Sequence, residues 1–137
     1  MSAPDFVDSN ILIHAYDPTD PAKQRISQSL VLKALDGEIL ASTQVLAEFA
    51  AILLHKISPS PGADNVKILL DALSPIRLII PDEGIVRRAV EAHATYGLHF
   101  YDGMIVAAAE RGGCKRIWSE DLNSGQKYFG IVVENPF

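Results

Sequence analysis

The sequence predicts an α/β fold, a parallel sheet covered on both faces by helices. Three features of the chain point there. Short apolar runs such as Phe6-Val7, Leu78-Ile79-Ile80 and Ile131-Val132-Val133 alternate with longer stretches of helical periodicity. The runs carry little polar alternation, as strands buried on both faces do. A chain of 137 residues with 48% hydrophobic and 21% charged content suits one globular domain over residues 1–137 and is too short for two independent cores.

The elements follow in order. Asp5-Phe6-Val7 opens a short buried strand, and Asp8-Ser9-Asn10 offers acceptors for the free N–H groups of a helix starting near Ile11. Asp17-Pro18 ends that helix. A second runs from about Asp20 to Leu35, with Ile26, Leu30, Val31, Ala34 and Leu35 at helical spacing, and stops at Asp36-Gly37. Glu38 to Ala41 reads as the second strand. Ser42 or Thr43 then caps a helix through Leu46, Phe49, Leu53 and Ile57. Ser58-Pro59-Ser60-Pro61-Gly62 is a loop rather than a domain linker, being only five residues long. A helix over Ala63 to Leu73 precedes a strand at Arg77 to Ile80, which Pro81 stops. Asp82 or a neighbour caps the next helix, which ends near Tyr96-Gly97. Phe100 to Glu110 is a helix that is apolar nearly all round, so it belongs in the interior, and Gly112-Gly113 closes it. Lys115 to Ser119 forms the fourth strand and Ile131 to Val133 a short fifth.

Charge and cysteine content narrow the functional classes. Twelve Lys and Arg against 17 Asp and Glu give a net charge of −5, which disfavours a protein that coats nucleic acid with basic residues or sits on an anionic membrane. Cys114 is the single cysteine, so no internal disulfide forms, which suits a reducing, cytoplasmic setting. No signal peptide is visible at Met1 to Asp5, and the longest apolar runs, six residues, fall far short of the ~18 of a membrane span.

In parallel sheets, ligands bind beyond the carboxyl ends of the strands, where strand order reverses. Asp8 directly follows the first strand and Asp121 the fourth. Asp102 begins the buried helix on the face of Ile105, Val106 and Ala109, and Glu48 lies between Val45 and Ile52 at the margin of an apolar stripe. Each has an ordinary reading: helix caps or first-turn acids for Asp8 and Asp102, a turn for Asp121, an exposed edge or an ion pair with Lys56 or Arg77 for Glu48. As a set they say more. Carboxylates about 4 Å apart repel by roughly 4 kcal/mol at an effective dielectric near 20, which a divalent cation relieves. All-oxygen ligands select Mg²⁺ or Mn²⁺ over zinc, and His14, His55, His93 and His99 are scattered rather than spaced as zinc ligands.

Phe6-Val7-Asp8-Ser9-Asn10, Glu48-Phe49, Phe100-Tyr101-Asp102-Gly103 and the run from Ser119 to Gln126 resemble the four acidic motifs of the PIN-domain family, above all its VapC-type toxins. The resemblance covers Val7 to Val133. It implies a three-layer α/β/α sandwich with a central parallel sheet, and a Mg²⁺- or Mn²⁺-dependent endoribonuclease leaving 5′-phosphate and 3′-hydroxyl ends. It also implies a homodimer inhibited by a VapB-type antitoxin. Carried over by position, Asp8, Glu48, Asp102 and Asp121 are the catalytic and metal-holding acids, with Asn10 and Ser119 as supporting polar residues. Gly103 departs from the family's more usual Ala, and Ala50-Ala51 from its polar or larger residues.

Other chemistries fit less well. The chain has no dinucleotide fingerprint, no P-loop and no G-x-S-x-G elbow. A receiver-like signalling domain with Asp82 as phosphoacceptor lacks the adjacent acidic pair and the late lysine it needs. A DNA or structure-specific nuclease of the same fold is the nearer alternative, though such relatives carry further acids and long insertions. Arg87, Arg88 and Lys127 are candidate contacts to RNA phosphate, and Arg111, Lys115 and Arg116 cluster around Gly112-Gly113.

Overall fold

The computed structural model describes residues 2–137. Its elements are β1 (Asp5–Val7), α1 (Ser9–Tyr16), α2 (Pro21–Leu35), β2 (Ile39–Ser42), α3 (Thr43–His55) and α4 (Ala63–Ala72) in the first half. β3 (Leu78–Ile79), α5 (Glu83–Tyr96), α6 (Phe100–Arg111), β4 (Arg116–Trp118), β5 (Lys127–Tyr128) and β6 (Ile131–Glu134) complete it. The sheet order is β3-β2-β1-β4-β6-β5. All neighbouring pairs are parallel except β5 and β6, so the five strands expected from the sequence form a parallel sheet to which β5 adds one antiparallel edge.

Local chemistry sets most boundaries. The Asp8 side chain accepts the Ser9 N–H, which starts α1 two residues earlier than Ile11. Asp20, Ser42 and Asp82 each cap a helix by accepting an N–H three residues on, and Gly97 ends α5 with φ of 71°, a conformation open to glycine at no steric cost. Ser42 resolves the choice between two capping residues for α3.

β5 is the element absent from the sequence reading. Phe129 and Gly130, with φ of 49° and 81°, form the two-residue turn that folds it back on β6. Two-residue hairpin turns demand positive φ at both positions and usually announce themselves as Asn-Gly or Asp-Gly. Phe129 accepts the strain because its N–H donates to the Tyr96 hydroxyl at 2.8 Å, and its ring lies edge-on to Tyr96 and under the Arg88 guanidinium, 3.5 Å from the centroid.

Helices cover both faces. α5 and α6 pack on each other, with α6 across β2, β3, β4 and β6, while α1, α2, α3 and α4 form a connected group on the other side. As expected for a helix apolar nearly all round, α6 is buried at Gly103 and from Ile105 through Ala109. The core joins Phe6, Ile39, Leu53, Ile105, Ile117 and Val133 from both layers and the sheet between them.

Gly103 has a specific packing reason. A Cβ there would stand 2.8 Å from the Ala89 carbonyl oxygen, so the absence of a side chain lets α6 close onto α5 one residue beyond Asp102. Gly103→Ala is therefore expected to destabilise the fold. Overpacking costs about 1–3 kcal/mol, against about 1 kcal/mol gained in helix propensity. Urea denaturation measures the balance, and a variant more stable than the parent would contradict the tight contact.

Cys114 is buried beside Asp5, and burial pushes its thiol up to about 12, so it packs as an unreactive residue.

Candidate metal centre

β1 and β4 are adjacent and parallel, although β1 leads by way of α1 and α2 to β2 on its other side. Strand order thus reverses between β1 and β4, and the crevice lies at their carboxyl ends. Asp8 leaves β1 there, its N–H donating to the Trp118 carbonyl at 3.0 Å, and Ser119 leaves β4 beside it.

Asp8 is only 6% exposed, and its oxygens are held from two sides. The Ser9 N–H donates to Oδ1 at 2.7 Å and the Ser119 hydroxyl to Oδ2 at 2.8 Å. Ser119, fully buried, also accepts the N–H groups of Asp121 and Leu122 at 3.2 and 3.3 Å, which folds the turn carrying Asp121 over the end of β4. Asn10 bridges the two acids. Its Nδ2 lies 3.1 Å from Asp121 Oδ2 and 3.4 Å from Asp8 Oδ2, while its Oδ1 accepts the Glu120 N–H at 3.1 Å.

Glu48 approaches on α3 and Asp102 on the first turn of α6. Burial raises the Asp8 carboxyl above the usual range, the Ser119 and Ser9 hydrogen bonds oppose it, and Asp121 and Asp102 add repulsion. Glu48 is pushed up to about 7, first by burial and then by the charges of Asp8, Asp102 and Asp121. Asp102 is raised by burial and by Asp121, against an opposing pull from His99. The structure therefore brings all four acids within reach of one another's fields.

Several acids elsewhere are paired. Glu120 is bonded to Lys23 and to His14 at 2.9 Å; burial raises its carboxyl, but these partners outweigh it and leave Glu120 below its usual value. Asp82 caps α5 and meets Arg111 at 2.9 Å, which holds it at about 2. Arg87 pairs with Glu83, and Arg88 with Glu110 and Glu91, so neither arginine is the free RNA contact the sequence suggested; Lys127 stands exposed on β5 with no ion pair. Among the described residues, by contrast, no Lys, Arg or His comes within ion-pairing distance of Asp8, Glu48, Asp102 or Asp121. Glu48 has neither Lys56 nor Arg77 as partner, and its Oε1 is buried without a hydrogen-bond donor.

Among the described residues, no three His, Cys, Asp or Glu side chains stand close enough to hold a metal by themselves. The donor set still fits one class of ion. Mg²⁺ takes one or two carboxylates and keeps several waters, whereas zinc and calcium demand fuller protein cages. An unpartnered carboxylate oxygen and an all-oxygen set suit Mg²⁺ or Mn²⁺.

Two residues near the site had little sequence signal. Tyr128, buried on β5, has its hydroxyl raised by burial and feels the Asp102 charge, but its strand was not legible. Tyr101 stands exposed at the rim, and only its place next to Asp102 could have marked it.

The comparisons agree with the architecture. No curated protein sequence is significantly similar to the chain. A toxin–antitoxin complex from Klebsiella pneumoniae contains a chain of the same fold, with a TM-score of 0.69 at 22% identity over 99% of this chain and 98% of that one. VapBC2 from Rickettsia felis, bound to a DNA fragment from its promoter, gives 0.68 at 18% identity over 96% and 97%. The sarcin-ricin loop cleaving toxin VapC20 from Mycobacterium tuberculosis gives 0.65 at 17% identity over 85% and 91%. At such identities these likenesses speak for the fold, a three-layer α/β/α sandwich. The sequence itself matches the PIN domain over residues 6–128, a span that includes all four acids. The chain belongs to the PIN domain family.

Proposed function

We propose that the chain acts as a single PIN-type endoribonuclease domain, the toxin of a toxin–antitoxin pair, hydrolysing RNA at a Mg²⁺ or Mn²⁺ site formed by Asp8, Glu48, Asp102 and Asp121. One observation carries this reading: four carboxylates around the strand-order reversal lie within one another's fields and none has a counter-ion, whereas the half-buried Glu110 and Glu120 are paired. Like charges so placed are costly to keep unless a cation is meant to join them.

A divalent cation bound there supplies Lewis-acid polarisation of a phosphoryl oxygen and a water of lowered pKa. The protein's own part is positional. Asp8 is locked by Ser9 and Ser119, so its outer lone pairs face the crevice in one orientation. Asn10 sets the spacing of Asp8 and Asp121. Glu48 presents an unpartnered oxygen; without metal its carboxyl is raised to about 7 by burial and the neighbouring acids, a shift that a bound cation would reverse. No 2′-hydroxyl nucleophile is needed, and the family resemblance implies 5′-phosphate and 3′-hydroxyl ends.

The partners follow from the same reading. The structural relatives are toxin–antitoxin complexes. An apolar groove of about 480 Å³ among α1 to α4, lined by Leu12, Tyr16, Val31, Leu32, Leu69 and Leu73, suits the apolar face of a VapB-type antitoxin helix. Exposed Ile80, Val86 and Val90 offer a second apolar surface, for a homodimer. No helix among the described residues is long and apolar enough to cross a membrane.

Purified chain incubated with total cellular RNA is expected to cut at discrete sites with Mg²⁺ or Mn²⁺. Absence of cleavage of any RNA with either ion would sink the proposal.

A further inference from the structure

We propose that Tyr101, stacked on His99 at the rim of the acidic site, is the platform on which an unpaired RNA base packs beside the bond to be cut. The inference rests on the ribonuclease reading above and names its substrate class: single-stranded or looped RNA with a splayed base.

A single exposed tyrosine needs no explanation. This one is held as a built surface. Tyr101 is 58% exposed, yet its ring lies 5.9 Å from His99 at an interplanar angle of 29°, with Phe100 edge-on at 5.2 Å. Its backbone is fixed at both ends. The Tyr101 N–H donates to His99 Nδ1 at 3.3 Å, and its carbonyl accepts Gln44 Nε2 from α3 at 3.1 Å. The aromatic pair therefore loses little freedom on meeting a ligand.

The surface opens onto the acids. A cleft of about 530 Å³ is shared by Glu48, Asp102, His99, Tyr101 and the small residues Ala47 and Ala51. The two alanines, one helical turn apart on α3, keep that wall low. Ala51 is half of the Ala50-Ala51 pair that departs from the bulkier residues of the family, and here the smaller side chain leaves room opposite the ring.

Chemistry favours RNA as the occupant. No Lys or Arg lines this cleft, and Arg87, Arg88 and Arg111 are held in ion pairs, so the cleft itself offers phosphate no cation. Stacking supplies affinity that needs no positive charge and tolerates any base. Duplex RNA keeps its bases in the helix, so only unpaired nucleotides reach the ring. An apolar protein surface pressed onto this cleft would instead bury the Glu48 and Asp102 carboxylates uncompensated.

The test uses a 12-nucleotide single-stranded RNA carrying 2-aminopurine, with Asp8→Asn as the common background so that the strand stays intact. Tyr101→Ala is expected to weaken binding about 5- to 100-fold and to abolish fluorescence quenching, while Tyr101→Phe keeps both. Tyr101→Leu fills the space without a π-face and is expected to lose the quenching with its thermal midpoint unchanged, which separates stacking from folding. Unchanged binding and quenching in Tyr101→Ala would overturn the inference, as would a change of oligomeric state in light scattering. If the unsubstituted chain cuts RNA while Tyr101→Ala binds normally, stacking alone falls. If the unsubstituted chain neither binds nor cuts RNA, the ribonuclease reading falls with it.

Discussion

Asp8→Asn combined with Asp102→Asn is expected to leave a folded protein whose RNA cleavage is slower by about a thousandfold or more. Asparagine has the shape of aspartate and keeps one oxygen for the Ser9 N–H at position 8, while its amide nitrogen faces the Ser119 hydroxyl, which turns from donor to acceptor. What disappears is negative charge in the crevice. A thousandfold corresponds to about 4 kcal/mol of transition-state stabilisation, the scale on which a Lewis acid acts at a phosphoryl oxygen. Stability moves the other way. Without metal, Asp8 is a buried carboxylate raised by desolvation and by the charges of Asp121 and Asp102, so the double variant is expected to melt at or above the parent in chelator. Kinetics and thermal melts on one preparation separate the effects. Cleavage at the parental rate would remove these acids from the mechanism, and a collapsed melt would make their role structural.

The second large effect couples pH to metal. Glu48 is raised from its ordinary 4.5 to about 7 in the folded chain, and Asp8 and Asp102 shift in the same direction. A carboxyl whose folded pKa is raised contributes stability below its unfolded value and loses it as pH rises through the folded one. In chelator, the thermal midpoint should therefore fall between about pH 4.5 and about pH 7. Asp82, lowered to about 2, has the opposite sign, but its window closes below that range. Mg²⁺ at a hundred times its dissociation constant adds about 2.7 kcal/mol and should remove most of the decline. Glu48→Gln should flatten the slope in chelator. A midpoint that rises across this interval without metal would contradict the crowding of the four acids.

Much of the architecture was legible because local signals were strong. Asp20, Ser42 and Asp82 cap helices as their positions implied, and the apolar sequence of α6 marked it as interior. The acids stood out for a related reason: Asp102 on an otherwise apolar helix, and Asp8 at the end of an apolar strand, conflict with their surroundings. Convergence was harder to read, because Glu48 meets the others only through the packing of α3, which no local pattern states. β5 escaped because two residues carry no periodicity and its turn uses Phe129 where Asn or Asp is usual. The arginines misled for a similar reason. Arg88 and Glu110 are 22 residues apart and meet only because α5 and α6 pack together.

The net charge of −5 takes on a different meaning at the site. Setting aside the four crevice acids leaves 13 acidic residues against 12 basic ones, so the deficit is local rather than spread over the surface. A chain that gathers its excess negative charge at one point is suited to bring its positive charge as an ion.

The central claim is that this crevice uses a divalent cation to hydrolyse RNA, and the ends of the cut strands test it most directly. With Mg²⁺ or Mn²⁺, end mapping is expected to show 5′-phosphate and 3′-hydroxyl termini, and with EDTA no new ends at all. Cuts that persist in EDTA, or that leave 2′,3′-cyclic phosphates, would contradict it.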